Sequence, residues 1–126
     1  MSNRSPESLL PLTPLYFQIL LALSDGHRHG YGMLKEIESQ TGGSMKPATG
    51  TLYLALGRME ERRMIANAWK QRPAGEDSRR RYYKLTPFGR KVAVAETNRL
   101  LSMVDAALRK QLIGASSVAA LGSERP

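Results

Sequence analysis

The chain has 126 residues, 41% of them hydrophobic, enough for one domain with a small core and an appended helix. Lys and Arg number 19 against 11 Asp and Glu, and the net charge of +8 favours a polyanionic partner: DNA, RNA or an acidic membrane surface. Cys is absent, which excludes disulfides and thiolate metal sites and suits the cytoplasm. No signal-peptide core is visible near Arg4 and Glu7, and the longest apolar run, Ile19 to Leu23, is far too short to span a bilayer.

Residues 1–11 read as a flexible arm, with Leu9, Leu10 and Leu12 able to pack near its end. A first helix is predicted from about Pro14 to Ser24, capped by Thr13, with proline where no N–H is needed. Leu15, Ile19, Leu20 and Leu23 share a face, so this helix is central to the core. Asp25-Gly26 stops it. A second helix covers roughly Gly30 to Thr41, with Tyr31, Leu34 and Ile37 near one stripe, and Gly42-Gly43 ends it.

A third helix is predicted from Pro47 to Glu60. Leu52, Leu56 and Met59 cluster on one side of it, and Lys46, Thr49, Gly50 and Tyr53 on a neighbouring side. Two strand candidates follow, 66–72 and 80–85, around turn chemistry at Pro73 to Ser78. Thr86-Pro87 starts a last helix over 87–113. At about 27 residues and roughly 40 Å, that helix outreaches so small a domain. Its apolar stripe, including Leu100, Leu101, Val104 and Leu108, calls for a second copy in a two-fold dimer or for its own core. Residues 114–126 read as a disordered tail.

The hairpin region from Lys70 to Lys84 carries six basic residues against Glu76 and Asp77, a local +4 (6 minus 2). Arg79 and Arg81 share one strand face, and arginines there can bond phosphates or enter the minor groove; a solvated charge run is the plainer alternative. The third helix is better suited to reading bases. Its N-terminus favours phosphate, Thr49 and Thr51 bring hydroxyls, Gly50 allows close approach, and Tyr53 is either a polar-tipped contact or a core-boundary residue. His27 and His29 make too weak a pair for metal without further ligands. Trp69 suits packing at the hairpin base. No nucleophile elbow or phosphate loop is present, and no cofactor is implied.

In order and spacing these residues resemble the PadR family of winged helix-turn-helix regulators. The matching segments are Leu12-Thr13-Pro14, His29-Gly30-Tyr31-Gly32 with Leu34 and Ile37, Lys46-Pro47 with Gly50-Thr51-Leu52-Tyr53, Arg58-Met59-Glu60, and Arg80 to Thr86 with Gly89. The resemblance implies a mainly α fold with a small β-hairpin: a winged helix-turn-helix domain over 12–86 and a dimerisation helix over 87–113. It implies a cytoplasmic homodimeric repressor of double-stranded DNA, with a near-palindromic operator, often relieved by a small molecule. It assigns DNA contacts to Tyr31, Thr49, Gly50, Thr51, Tyr53, Arg79 and Arg81, beside Lys46. One departure is local: the family commonly places Gly where Arg63 precedes Met64-Ile65. An acidic-partner interaction module and an RNA-binding protein are the competing readings; the motifs of common RNA-binding folds are absent.

Overall fold

The computed structural model describes residues 4–68 and 81–122 of the chain. The chain divides into two compact units, Met1–Glu96 and Thr97–Pro126.

In the first unit, helix α1 (Pro14–Ala22) begins where Thr13 Oγ1 accepts the N–H of Tyr16 at 3.2 Å. Its Ile19, Leu20 and Ala22 are buried. A two-residue strand, β1 (Arg28–His29), leads directly into α2 (Gly30–Gln40). His29 caps that helix, its Nδ1 accepting the N–H of Gly32 at 3.0 Å. At the other end Gly42 adopts a positive φ of 60°, and the N–H groups of Gly42 and Gly43 bond back to Ser39 O and Glu38 O. This turn is the one the glycine pair predicts. Tyr31 does not join the buried stripe: it lies two residues before Met33, across the helix, and is exposed, while Met33 and Ile37 are buried.

Helix α3 (Thr49–Glu61) starts two residues later than the proline suggests, with Ala48 at the cap position. It buries Leu52, Ala55, Leu56 and Met59. Arg63, at φ 63°, closes it: Arg63 N–H bonds Glu60 O and Met64 N–H bonds Met59 O, each at 3.0 Å. The departure from glycine therefore leaves the helix exit intact, with arginine carrying the left-handed backbone that glycine adopts freely.

Strands β2 (Ile65–Asn67) and β3 (Tyr82–Leu85) form the base of the predicted hairpin. Among the described residues the sheet has three antiparallel strands in the order β1-β3-β2, with Arg28 opposite Tyr83 and Ile65 opposite Leu85. The two-stranded expectation is thus one strand short, because β1 is too brief to show any periodicity. The predicted turn at 73–78 lies outside the described residues, as do Trp69, Lys70, Arg72, Arg79 and Arg80.

Helix α4 (Pro87–Arg109) is locked to the exit of α3. Thr86 Oγ1 accepts the N–H of Gly89 at 2.9 Å and lies 2.6 Å from Arg63 O, to which it donates. Gly89 packs so closely on Met64 that a Cβ there would overlap the Met64 carbonyl oxygen. Val92 and Glu96 are buried on the same helix. The N-terminal arm contains a 3-10 helix, Pro6–Leu9, and Leu9, Leu10 and Leu12 pack against the core.

In the second unit α4 ends at Arg109, short of the predicted 113. Gln111 takes φ 64°, its N–H bonding Leu108 O, while Leu112 N–H bonds Ala107 O. The segment read as a disordered tail contains a short helix, α5 (Ala115–Ala119).

Candidate nucleic-acid interface

The buried side of α3 faces the core, so the opposite side is fixed outward. Thr49, Gly50 and Thr51 in its first turn are exposed, and nothing lies within 4 Å of a Cβ built on Gly50. Ala48 supplies no side-chain cap. The first-turn N–H groups at the positive end of the helix dipole therefore have no capping side chain, an arrangement suited to phosphate.

Tyr53 ties this helix to α2. The residue is 43% exposed, yet its hydroxyl sits over Gly30, where a Cβ would overlap it. Gly30 thus makes room for Tyr53. The next residue, Tyr31, stands 61% exposed with Lys35 Nζ 5.5 Å from its ring centroid. Lys46 precedes α3, exposed, with its Nζ 3.8 Å from Glu38 Oε1. Of the residues predicted to contact DNA, Tyr31, Lys46, Thr49, Gly50, Thr51 and Tyr53 are on or beside α3 and the start of α2, and all are exposed.

Arg81 is exposed just before β3. Its positive charge acts on the phenol of Tyr83, a residue only 3% exposed. Burial pushes the Tyr83 phenol above its ordinary value, and the charge of Glu60 adds to that; Arg81 opposes both, and Tyr53 adds a smaller upward push. The Tyr83 phenol therefore feels charged and polar groups of both α3 (Glu60, Tyr53) and the start of β3 (Arg81). The sequence reading placed it only in a strand. Arg79 lies outside the described residues.

Two further residues escaped the sequence reading. Leu54 is exposed on α3, because it falls off the arc of Leu52, Leu56 and Met59; that offset was readable. Arg28 is structural: its Nε donates to Ala22 O at 2.6 Å and its Nη2 pairs with Asp25 and Glu36. His29 likewise serves the fold, capping α2 and standing edge-on to Tyr82 with centroids 5.2 Å apart. In the second unit Leu101 and Val104 are exposed and Leu100 and Leu108 half-buried. Among the described residues no helix is long and apolar enough to cross a membrane.

The family model for PadR-like transcriptional regulators matches residues 19–95, more than half the chain. The chain belongs to this family. A curated relative, an uncharacterized 37.1 kDa protein in a transposon of Streptomyces fradiae, is 38% identical over 80 residues, 64% of this chain. The match spans about a fifth of that protein, 21% of its length. A transcriptional regulator from Clostridium thermocellum is similar in structure, with a TM-score of 0.62 and 28% identity over 76% of this chain and 87% of its own. RosR from H. salinarum has the same TM-score, 0.62, at 26% identity, covering 90% of this chain and 99% of its own. Bacillus subtilis PadR, solved with operator DNA, has a TM-score of 0.56 at 19% identity over 70% of this chain and 47% of its own, a likeness of fold. The fold is accordingly the winged helix of PadR-like regulators: mostly helical, with a small three-stranded antiparallel sheet. The matched PadR-like span contains every residue from Tyr31 to Arg81 named above, and excludes Leu100 to Leu108.

Proposed function

We propose that this PadR-like protein is a homodimeric, sequence-specific DNA-binding repressor acting in the cytoplasm on a near-palindromic operator, with a small-molecule effector able to relieve it. The observation that carries the reading is the outward first turn of α3, with its uncapped N–H groups beside exposed Thr49, Gly50 and Thr51. In this reading Thr49, Gly50, Thr51 and Tyr53 enter the major groove and meet base edges. Lys46 and Tyr31 hold the flanking phosphates, and Arg79 and Arg81 reach the backbone or the minor groove. The operator complex of Bacillus subtilis PadR supports the reading at the level of fold. Two copies would set two reading helices about one helical turn apart.

The test is retention on a duplex from the protein's own upstream region at two salt concentrations. Affinity should fall steeply with salt, as expected when several phosphates are neutralised. Scrambled duplexes should bind far more weakly. Equal binding to scrambled DNA would sink the regulator reading. Retention that survives Arg79→Ala with Arg81→Ala would remove the wing from it.

A further inference from the structure

Leu54 has no place in the hydrophobic core, and it stands 58% exposed in the middle of α3. A single exposed leucine is ordinary on a protein surface, so exposure alone carries no meaning. Its position does. The buried side of α3 is set by Leu52, Ala55, Leu56 and Met59. Gly50, Leu54 and Gly57, spaced four and three residues apart, fall on the opposite side, and all are exposed. Leu54 therefore projects from between two positions that carry no side chain.

Among the described residues, nothing lies within 4 Å of a Cβ built on Gly50 or on Gly57. Gly57 lies well inside α3, where alanine would hold the helix more firmly. Packing within the described chain thus does not require glycine at either position; a surface that comes close to the helix backbone does. Glu61 continues the same side one turn further on, exposed, and its carboxylate is repelled by phosphate. The contacting stretch accordingly ends before it. From Thr49 to Gly57 the helix rises about 12 Å, the span of three to four base pairs.

The proposed entry of α3 into a major groove sets base edges before this side. Thr49 and Thr51 have hydroxyls for the hydrogen-bonding atoms there. Leu54 can neither donate nor accept. The apolar group that a major groove displays is the 5-methyl of thymine. We infer that Leu54 selects thymine: its side chain packs on the 5-methyl group of a thymine, while Gly50 and Gly57 let α3 lie deep enough for that contact. The inference rests on the DNA-binding reading and adds to it the base that one operator position must carry. Cytosine at that position lacks the methyl and turns an amino group toward a side chain that cannot accept from it.

The test uses the full chain and two duplexes of its own upstream region, one with thymine and one with uracil throughout. Uracil removes the 5-methyl group and keeps every hydrogen-bonding atom. Wild type should bind the uracil duplex at least about fourfold more weakly, the worth of one buried methyl group. Leu54→Ala should bind the thymine duplex about fourfold more weakly than wild type. It should then lose less than about twofold on passing to uracil, because the partner of the methyl is already gone. Wild type indifferent to uracil, or Leu54→Ala losing as much as wild type, would overturn the inference and leave the DNA-binding reading standing. Wild type that binds the thymine duplex no better than a scrambled one would remove both.

Discussion

The buried carboxylate of Glu96 lies 3.0 Å from the backbone nitrogen of Leu12 and accepts its hydrogen bond. Glu96 is 2% exposed, so an acid deep on α4 fastens the segment that leads into α1. Removing the acceptor of a buried N–H costs about 1–3 kcal/mol. Glu96→Ala should lower the unfolding free energy by about that amount in a urea titration, whereas Glu96→Gln, which keeps an acceptor oxygen, should lose less.

The glycines of the first unit divide by what surrounds them. Gly89→Ala drives a methyl into the backbone carbonyl of Met64, which cannot give way as a side chain could. It should cost about 1–3 kcal/mol or more, read by thermal and urea unfolding. Gly50 has open space around it within α3, so Gly50→Ala should stabilise by about 0.5–1 kcal/mol. If α3 approaches DNA as proposed, the same variant should bind duplex less tightly although it is the more stable protein. Gain of stability with unchanged DNA affinity would remove Gly50 from the interface.

The raised phenol of Tyr83 predicts an alkaline weakness. Burial, with Glu60 behind it, keeps the folded phenol protonated past its ordinary value of 10.0. Below pH 10 both folded and unfolded chains hold the proton, so that contribution is fully present. Above it the unfolded chain releases the proton first, and stability falls until the folded phenol also ionises, at up to about 1.4 kcal/mol per pH unit. Unfolding free energies measured between pH 8 and about 11 should show this decline. Tyr83→Phe should flatten it; an unchanged slope would assign the loss to other groups.

The proposed dimer rests on Leu100, Leu101, Val104 and Leu108. Of these, Leu101 is 61% exposed and Val104 38% exposed. Charged replacements at Leu101 and Val104 should give monomers by analytical ultracentrifugation, with weakened operator binding because half-sites no longer act together. The first unit should keep its fold, since both positions lie outside it. A dimer that persists in the double variant would place the interface elsewhere.

The helices were legible because their signals are local. Thr13, Thr86 and the pair Gly42-Gly43 each mark a boundary by their own chemistry, and Leu52, Leu56 and Met59 mark a face by spacing alone. What stayed hidden depends on distant partners. Arg28-His29 becomes a strand because β3 lies beside it, and Glu96 becomes a buried anchor where the distant Leu12 approaches it. In the sequence, Glu96 is one more charge on a helix. The candidate site was legible in its residue types, since the exposed set on α3 follows from the wheel. Its internal wiring through Tyr83 was not, because the phenol's neighbours Glu60 and Tyr53 come from another element.

The central place of β3 has a consequence for how the molecule is made. Both of its neighbours, β1 and β2, emerge earlier during synthesis, and β1 precedes the whole of α2 and α3. The helices can collapse on contacts close in sequence, which form quickly. Each outer strand must wait with an unpaired edge until Tyr82–Leu85 arrives to occupy the gap between them. That arrival also brings Tyr83 against the end of α3 and Thr86 against its exit. Helix α3 and the β2–β3 pair are therefore held in place by the strand that is last in the chain, a keystone set between courses already laid.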